Sequence, residues 1–248
     1  MTPDPTLAPR ISAPRRGLNG AIMKAWRAQD LRLRISDRQE VSEHFLRLQV
    51  TLGDLLQREA VYPTYWLRLW FAGPDGRGHQ RGYTLVDPAP ASGTAWIEFY
   101  LHAGIASDWA RGARIGDEID ASILNSRSPV ASDPPHLLMV GDGASVPAIA
   151  DTLRRVPEIP ATVLLERGYA DDEQVLPLPR RADAPVTWFD RDGSIEEAAL
   201  AAAASAPEGT SFFVSLESAP TRRIGSALRR RLGVPKEQVH ALAYWKRT

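Results

Sequence analysis

The sequence predicts two joined domains of different class, an antiparallel β-barrel followed by an α/β domain with a mostly parallel sheet. Three patterns point there. Up to about residue 132 apolar residues recur with a period of two between Gly- and Pro-rich turns, as half-buried strands require. Beyond it, short continuous apolar runs alternate with segments of helical period, as in strands covered by helices on both faces. The rhythm changes at Ser132 to Pro135, a turn-forming Ser-Asp-Pro-Pro. The expected division is therefore an irregular lead-in over 1–25, a barrel over 26–132 and an α/β domain over 133–248.

Taken in order, the lead-in is rich in Pro and Arg and holds no apolar run of signal-peptide length. Leu31, Leu33 and Ile35 then alternate with Arg32 and Arg34, and Leu46, Leu48 and Val50 with Arg47 and Gln49. The same alternation returns in TYWLRLWF, in WIEFYLH and in GDEIDASI, separated by turns such as GPDGRG and ASG. In the second domain the strands read LLMV, TVLLE, VTWF, FFVSLE and VHALAYW. The helices between them are ASVPAIADTLRRV, SIEEAALAAAASA and SAPTRRIGSALRRRL, the alanine run of the second being good helix sequence.

Composition removes several function classes. The 248 residues include 30 basic and 30 acidic side chains, so no net field draws the molecule to nucleic acid or an anionic membrane. Without cysteine there is no disulfide, thiolate metal site or cysteine nucleophile. No stretch approaches the ~18 apolar residues of a membrane span, and a cytoplasmic location is expected. The five histidines lack metal-ligand spacing, and neither GxSxG nor GxxxxGK[ST] occurs.

Two stretches carry chemistry. In HQRGYTLVDPAP, Arg81 and Tyr83 fall on one face of a strand and Thr84 on the other, with Gly82 between them. Downstream, His102 ends a strand and a short helix begins near Ile105, with Ser107 and Trp109 in its first turns. The free N–H groups of a helix start suit a phosphate, and arginine can grip the same group with two parallel donors. The second stretch is VGDGASVPAI, where small residues let a ligand approach the backbone past the end of a strand. By themselves these segments are equally an ordinary edge strand and an ordinary strand-to-helix turn. Glu166 at the end of the next strand and Arg222, Arg223, Arg229, Arg230 and Arg231 on the last helix bear on the choice of NADH or NADPH without fixing it.

Together SEHFLRL at Ser42, RGYTLVDPAPASG at Arg81, FYLHAGIASDWA at Phe99, VGDGASVPAI at Val140, DDEQVLPLP at Asp171 and the ending HALAYWK resemble the siderophore-interacting protein family of FAD-dependent ferric-siderophore reductases, within the ferredoxin reductase superfamily. The resemblance implies a Greek-key barrel that binds FAD and an α/β domain that binds NAD(P)H. It assigns Arg81 to the FAD pyrophosphate and Tyr83 and Thr84 to the isoalloxazine. His102, Ala106, Ser107 and Trp109 match the second FAD segment, and Asp142, Ala144, Ser145 and Pro147 the turn facing flavin and nicotinamide. Val86 stands where many members carry a second arginine, the loop after His102 is shorter than is common, and Asn125, Ser126 and Arg127 replace a frequent Gly-Ser-Lys.

These matches lead to the expectation of an enzyme in which the flavin carries the chemistry and no side chain is an acid or base catalyst. A ferric siderophore would dock at Arg127, Lys246 and Arg247, with Trp245 delivered to the flavin edge. A general NAD(P)H flavin or ferric reductase, and a flavin- or siderophore-binding module without turnover, remain alternatives.

Overall fold

A computed structural model describes residues 29–123, Ser128 and 133–247. The predicted lead-in over 1–25 and the junction at 132 lie outside the described residues. The first seven strands are β1 (Gln29–Ser42), β2 (Phe45–Thr51), β3 (Trp66–Ala72), β4 (Gly78–Thr84), β5 (Val86–Ala89), β6 (Thr94–Tyr100) and β7 (Glu118–Ile123). They form one antiparallel sheet in the order β4-β3-β7-β1-β2-β6-β5. Its two edge strands follow one another in the chain through the buried Leu85, so the sheet curls back on itself as a half-closed barrel. Two irregularities in β1, at Ile35/Asp37 and Glu40/Ser42, supply local bending.

The period of two sorts the strands as predicted: Leu33, Ile35, Leu46, Leu48, Leu67, Leu69, Ile97 and Phe99 share one buried core. A single helical turn, α1 (Leu55–Arg58), and α2 (Ile105–Gly112) add Leu55 and Ala110 to it.

The second sheet consists of β8 (Leu137–Asp142), β9 (Ala161–Glu166), β10 (Val186–Phe189), β11 (Ser211–Ser215) and β12 (Val239–Ala241), all parallel, in the order β10-β9-β8-β11-β12. The chain leaves the central β8 first to one side and then to the other, which puts the topological switch point between β8 and β11. Along β8, Leu137 and Met139 pack with α3 (Val146–Arg155), while Leu138 and Val140 face α5 (Ser194–Ser205) and α6 (Ser218–Arg230). A further short helix, α4 (Asp172–Val175), follows β9.

VHALAYW does not form a strand to Trp245: β12 stops at Ala241, and Leu242, expected inside, is 48% exposed. Leu242 and Tyr244 still donate backbone bonds to Val214 and Leu216, so the segment follows β11 before crossing the end of the sheet.

The outward face of the barrel joins the domains. On β2 and β6 the cross-strand pairs Phe45/Tyr100 and Arg47/Glu98 point away from the barrel core. Phe45 is fully buried in the α/β core beside Leu137 and Val163, and Tyr100 packs against the same cluster.

Candidate functional site

At the barrel mouth β4 places Arg81 and Tyr83 on the face of its partners Leu69 and Leu67, and Thr84 on the opposite face with Trp66. Tyr83 lies against Phe99, ring centroids 4.5 Å apart, and edge-on to Phe71. Trp109 of α2 meets Phe71 and Phe99 at 5.6 and 6.1 Å. Strand and helix, 26 positions apart, thus converge on two core aromatics. Arg81 is exposed; its guanidinium donates to the Gln80 carbonyl at 2.7 Å and makes no ion pair among the described residues.

The start of α2 is open. Gly104 precedes it at φ 144°, where other residues are strained, and among the described residues no side chain caps its N–H groups. Ser107 Oγ accepts from His102 N at 3.1 Å, so this hydroxyl closes the loop, while the exposed His102 ring contacts the Ala103 carbonyl at 2.7 Å.

The carboxyl edge of the parallel sheet is organised differently. Asp142 ends β8 fully buried: Oδ1 accepts from Ala144 N at 3.0 Å and Oδ2 from the Trp245 indole at 2.6 Å. Burial pushes its carboxyl up to about 6, against the pull of those bonds and of Arg191. Arg191 stacks on Trp245 at 5.3 Å and bonds Glu166 at 2.9 Å. Burial also raises Glu166, against the same arginine. Ser145 is spent within the turn, its Oγ bonding both N and O of Asp142 at 2.9 Å, and Pro147 is buried in the first turn of α3.

Tyr100 comes from the barrel to cover that turn. A Cβ on Gly143 would overlap its ring and one on Gly168 its hydroxyl, so both glycines are needed for its approach. Its hydroxyl donates to Asp172 Oδ2 at 2.7 Å, which also accepts from Gly168 N and Tyr169 N. From the other side Tyr244 meets Phe213 of β11 edge-on at 6.3 Å, its phenol strongly raised by burial.

The structure therefore brings Arg81, Gly82, Tyr83, Ala106, Ser107 and Trp109 to the barrel mouth, and Asp142, Ala144, Ser145 and Trp245 to the sheet edge, while Thr84 is buried on the other face of β4. Lys246 and Arg247 are exposed just past Trp245. Asn125, Ser126 and Arg127 lie outside the described residues. Val86, at the supposed second-arginine position, is wholly buried beside β6 and offers no donor. Sequence reasoning gave Tyr100, Tyr169, Asp172 and Arg191 no place in the site, whereas Tyr244 lies in the ending expected beside the flavin. Only the resemblance of DDEQVLPLP drew notice to Asp172.

A guanidinium without an ion pair among the described residues, an uncapped helix start and an aromatic wall together form a donor set that fits a ring system carrying a pyrophosphate. The residues present thus fit FAD. A curled antiparallel sheet with these donors, docked on a parallel sheet at its switch point, is the two-domain fold of the ferredoxin reductase type. The ferredoxin reductase of carbazole 1,9a-dioxygenase has the same fold, with a TM-score of 0.62 and 15% identity over 88% of this chain and 70% of that one.

Residues 57–124 match the siderophore-interacting FAD-binding domain and 134–248 the siderophore-interacting protein family. The chain belongs to the siderophore-interacting protein family. A siderophore-interacting protein from Acinetobacter baumannii superposes with a TM-score of 0.75 at 21% identity, over 88% of this chain and 90% of that one. The mycobactin import ATP-binding/permease protein IrtA of Mycolicibacterium thermoresistibile is 33% identical over 242 residues, which are 93% of this chain and 26% of the relative. The chain thus spans about a quarter of that relative's length. The ferric vibriobactin reductase ViuB of Vibrio cholerae is 25% identical over 183 residues, 70% of this chain and 67% of the relative. Among the described residues no helix is long and apolar enough to cross a membrane.

Proposed function

We propose that the protein passes reducing equivalents from a nicotinamide nucleotide, through FAD at the barrel mouth, to ferric iron held by a siderophore, releasing Fe(II). When bound, FAD supplies what no side chain here can: it takes two electrons with a hydride and gives them up singly, so one nucleotide reduces two ferric ions and leaves one proton. The chain's own residues bind and orient. Arg81 and the amides at the start of α2 would hold the pyrophosphate, and Tyr83 with Trp109 would wall the ring system. Trp245, fixed by Asp142 and Arg191, would border the nicotinamide position, while Lys246, Arg247 and Arg127 would meet an anionic chelate.

The observation that carries this reading is Arg81, exposed and without an ion pair among the described residues, on the same domain as the uncapped start of α2 and docked against the switch point. The names of relatives, a ferric vibriobactin reductase and a mycobactin importer, support the substrate class. To test it, flavin-loaded protein is reduced anaerobically with NADH or NADPH and mixed with catecholate and hydroxamate ferric siderophores in the presence of a coloured ferrous chelator. Bleaching followed by ferrous signal is expected. Reoxidation by ferricyanide but by no siderophore would leave a general reductase. Absence of bleaching would leave a binding module, a reading favoured by the closure of the sheet edge under Tyr100 and Trp245.

A further inference from the structure

The outward face of the barrel carries a charged cluster that the site does not use. Arg47 Nε lies 2.8 Å from Glu98 Oε1, and Arg47 Nη2 lies 3.0 Å from Asp87 Oδ2. From the other domain Arg154 Nε reaches Asp87 Oδ1 at 3.0 Å. Glu98, Arg47, Asp87 and Arg154 thus form one chain of ion pairs through β6, β2 and β5 to α3. One turn back on α3, Asp151 accepts from Thr64 N at 2.9 Å and Arg155 donates to the Tyr62 carbonyl at 3.0 Å, so this helix is the docking element.

Within the cluster Glu98 is the anomaly. Its side chain is 0% exposed, and no hydrogen-bond donor is aligned on either carboxylate oxygen. A buried carboxylate is tolerated when its charge is both paired and hydrogen-bonded, and here only the first condition is met. Two cations and two anions leave the cluster neutral with Glu98 ionised. Burial nevertheless prevails over the pull of Arg47 and Arg154 and pushes the carboxyl up to about 7.

We infer that Glu98 is a positioning residue, a proton-dependent clasp between barrel and α3: neutral, it rests in the closed seam, and ionised, it favours a state in which α3 stands off and water reaches the carboxylate. Since α3 begins at the 143–145 turn, the seam sets where that turn sits relative to the barrel. This holds whatever reaction the site performs. Opening returns Glu98 towards its ordinary value of 4.5, so the open form binds fewer protons between there and about 7. Closure is favoured at the acid end and is lost as pH rises through about 7, by at most roughly 300-fold in the open-to-closed ratio.

Hydrogen exchange of α3 and of residues 59–65, corrected for the intrinsic pH dependence of exchange, tests this between about pH 5.5 and 8. Protection in the wild-type protein is expected to fall about tenfold or more across that range, and in Glu98→Gln to stay level. Asp142 and Asp151, whose carboxyls burial also raises and which are unchanged in that variant, provide the contrast: an equal fall in Glu98→Gln assigns the effect to them and overturns the inference. Arg154→Gln, which removes a cation facing Glu98, is expected to move the midpoint upward. Should Glu98→Gln not fold, that shift decides the matter, and an unmoved midpoint overturns the clasp.

Discussion

At the barrel mouth Arg81 spends one bond on a neighbouring carbonyl and α2 starts uncapped. At the carboxyl edge Asp142 accepts from Ala144 and Trp245, Glu166 pairs with Arg191, and Ser145 is tied into its own turn. The difference teaches how the two halves are prepared. The mouth can receive an anion without breaking anything, so its binding energy goes directly into affinity. The edge is closed by the protein's own aromatics, so a ligand there must first displace Trp245 or lie outside it, and part of its binding energy is lost to that rearrangement.

The largest expected effect sharpens the closed side. Asp142, raised from 3.8 to about 6, keeps its proton on folding, so the stability it contributes is fully present below about pH 4 and is lost as pH rises through about 6. Two units correspond to at most about 3 kcal/mol. Chemical denaturation of Asp142→Asn against wild type at several pH values should show that part of the slope removed; parallel curves would mean that the carboxyl is solvated and the edge open.

Next comes the open side. Arg81→Ala should weaken FAD binding ten- to a hundredfold, for the loss of a charge-assisted contact worth ~1.5–3 kcal/mol, with little change in melting temperature. Flavin titration measures it. Undiminished affinity with a lower melting temperature would turn the comparison round, making Arg81 a structural residue.

Trp245→Phe keeps the ring but deletes the donor to Asp142, and about 1–2 kcal/mol of stability should go with it. In the flavin-loaded protein, if it turns over as proposed, the same change should lower the KM for the nicotinamide nucleotide by loosening the edge. A stable variant with unchanged KM would show that the indole closes nothing. The smallest effect is expected of Lys246→Gln with Arg247→Gln: both residues are exposed, so only the KM for an anionic ferric chelate should rise, most at low salt, while a neutral acceptor is unaffected. Equal losses for both acceptors would move these residues to FAD or the fold.

Much of the fold and part of the site were legible in the chain. Alternation such as Leu46, Leu48, Val50 against Arg47 and Gln49 gave the barrel interior correctly, because facing is a local property of a strand. The helix start at Ile105 and the turn at Gly141 to Ser145 were found for the same reason, and the spacing of Arg81, Tyr83 and Thr84 correctly separated their faces. VHALAYW was read as one strand because its apolar content cannot say where a strand leaves an edge, and β12 ends at Ala241.

The order of residues along the chain settles which of them turn inward, where strands give way to helices, and which segments carry the family's pattern. Tertiary structure alone decided which outward residues are covered. Glu98 and Phe45 alternate like any solvent-facing pair, and only docking of α3 and β8 buries them. Tyr100 meets Gly143 and Asp172, and Trp245 meets Asp142 103 positions away, for the same reason. Periodicity records the direction of a side chain relative to its own element, whereas burial of that element's outer face depends on where a second domain comes to rest.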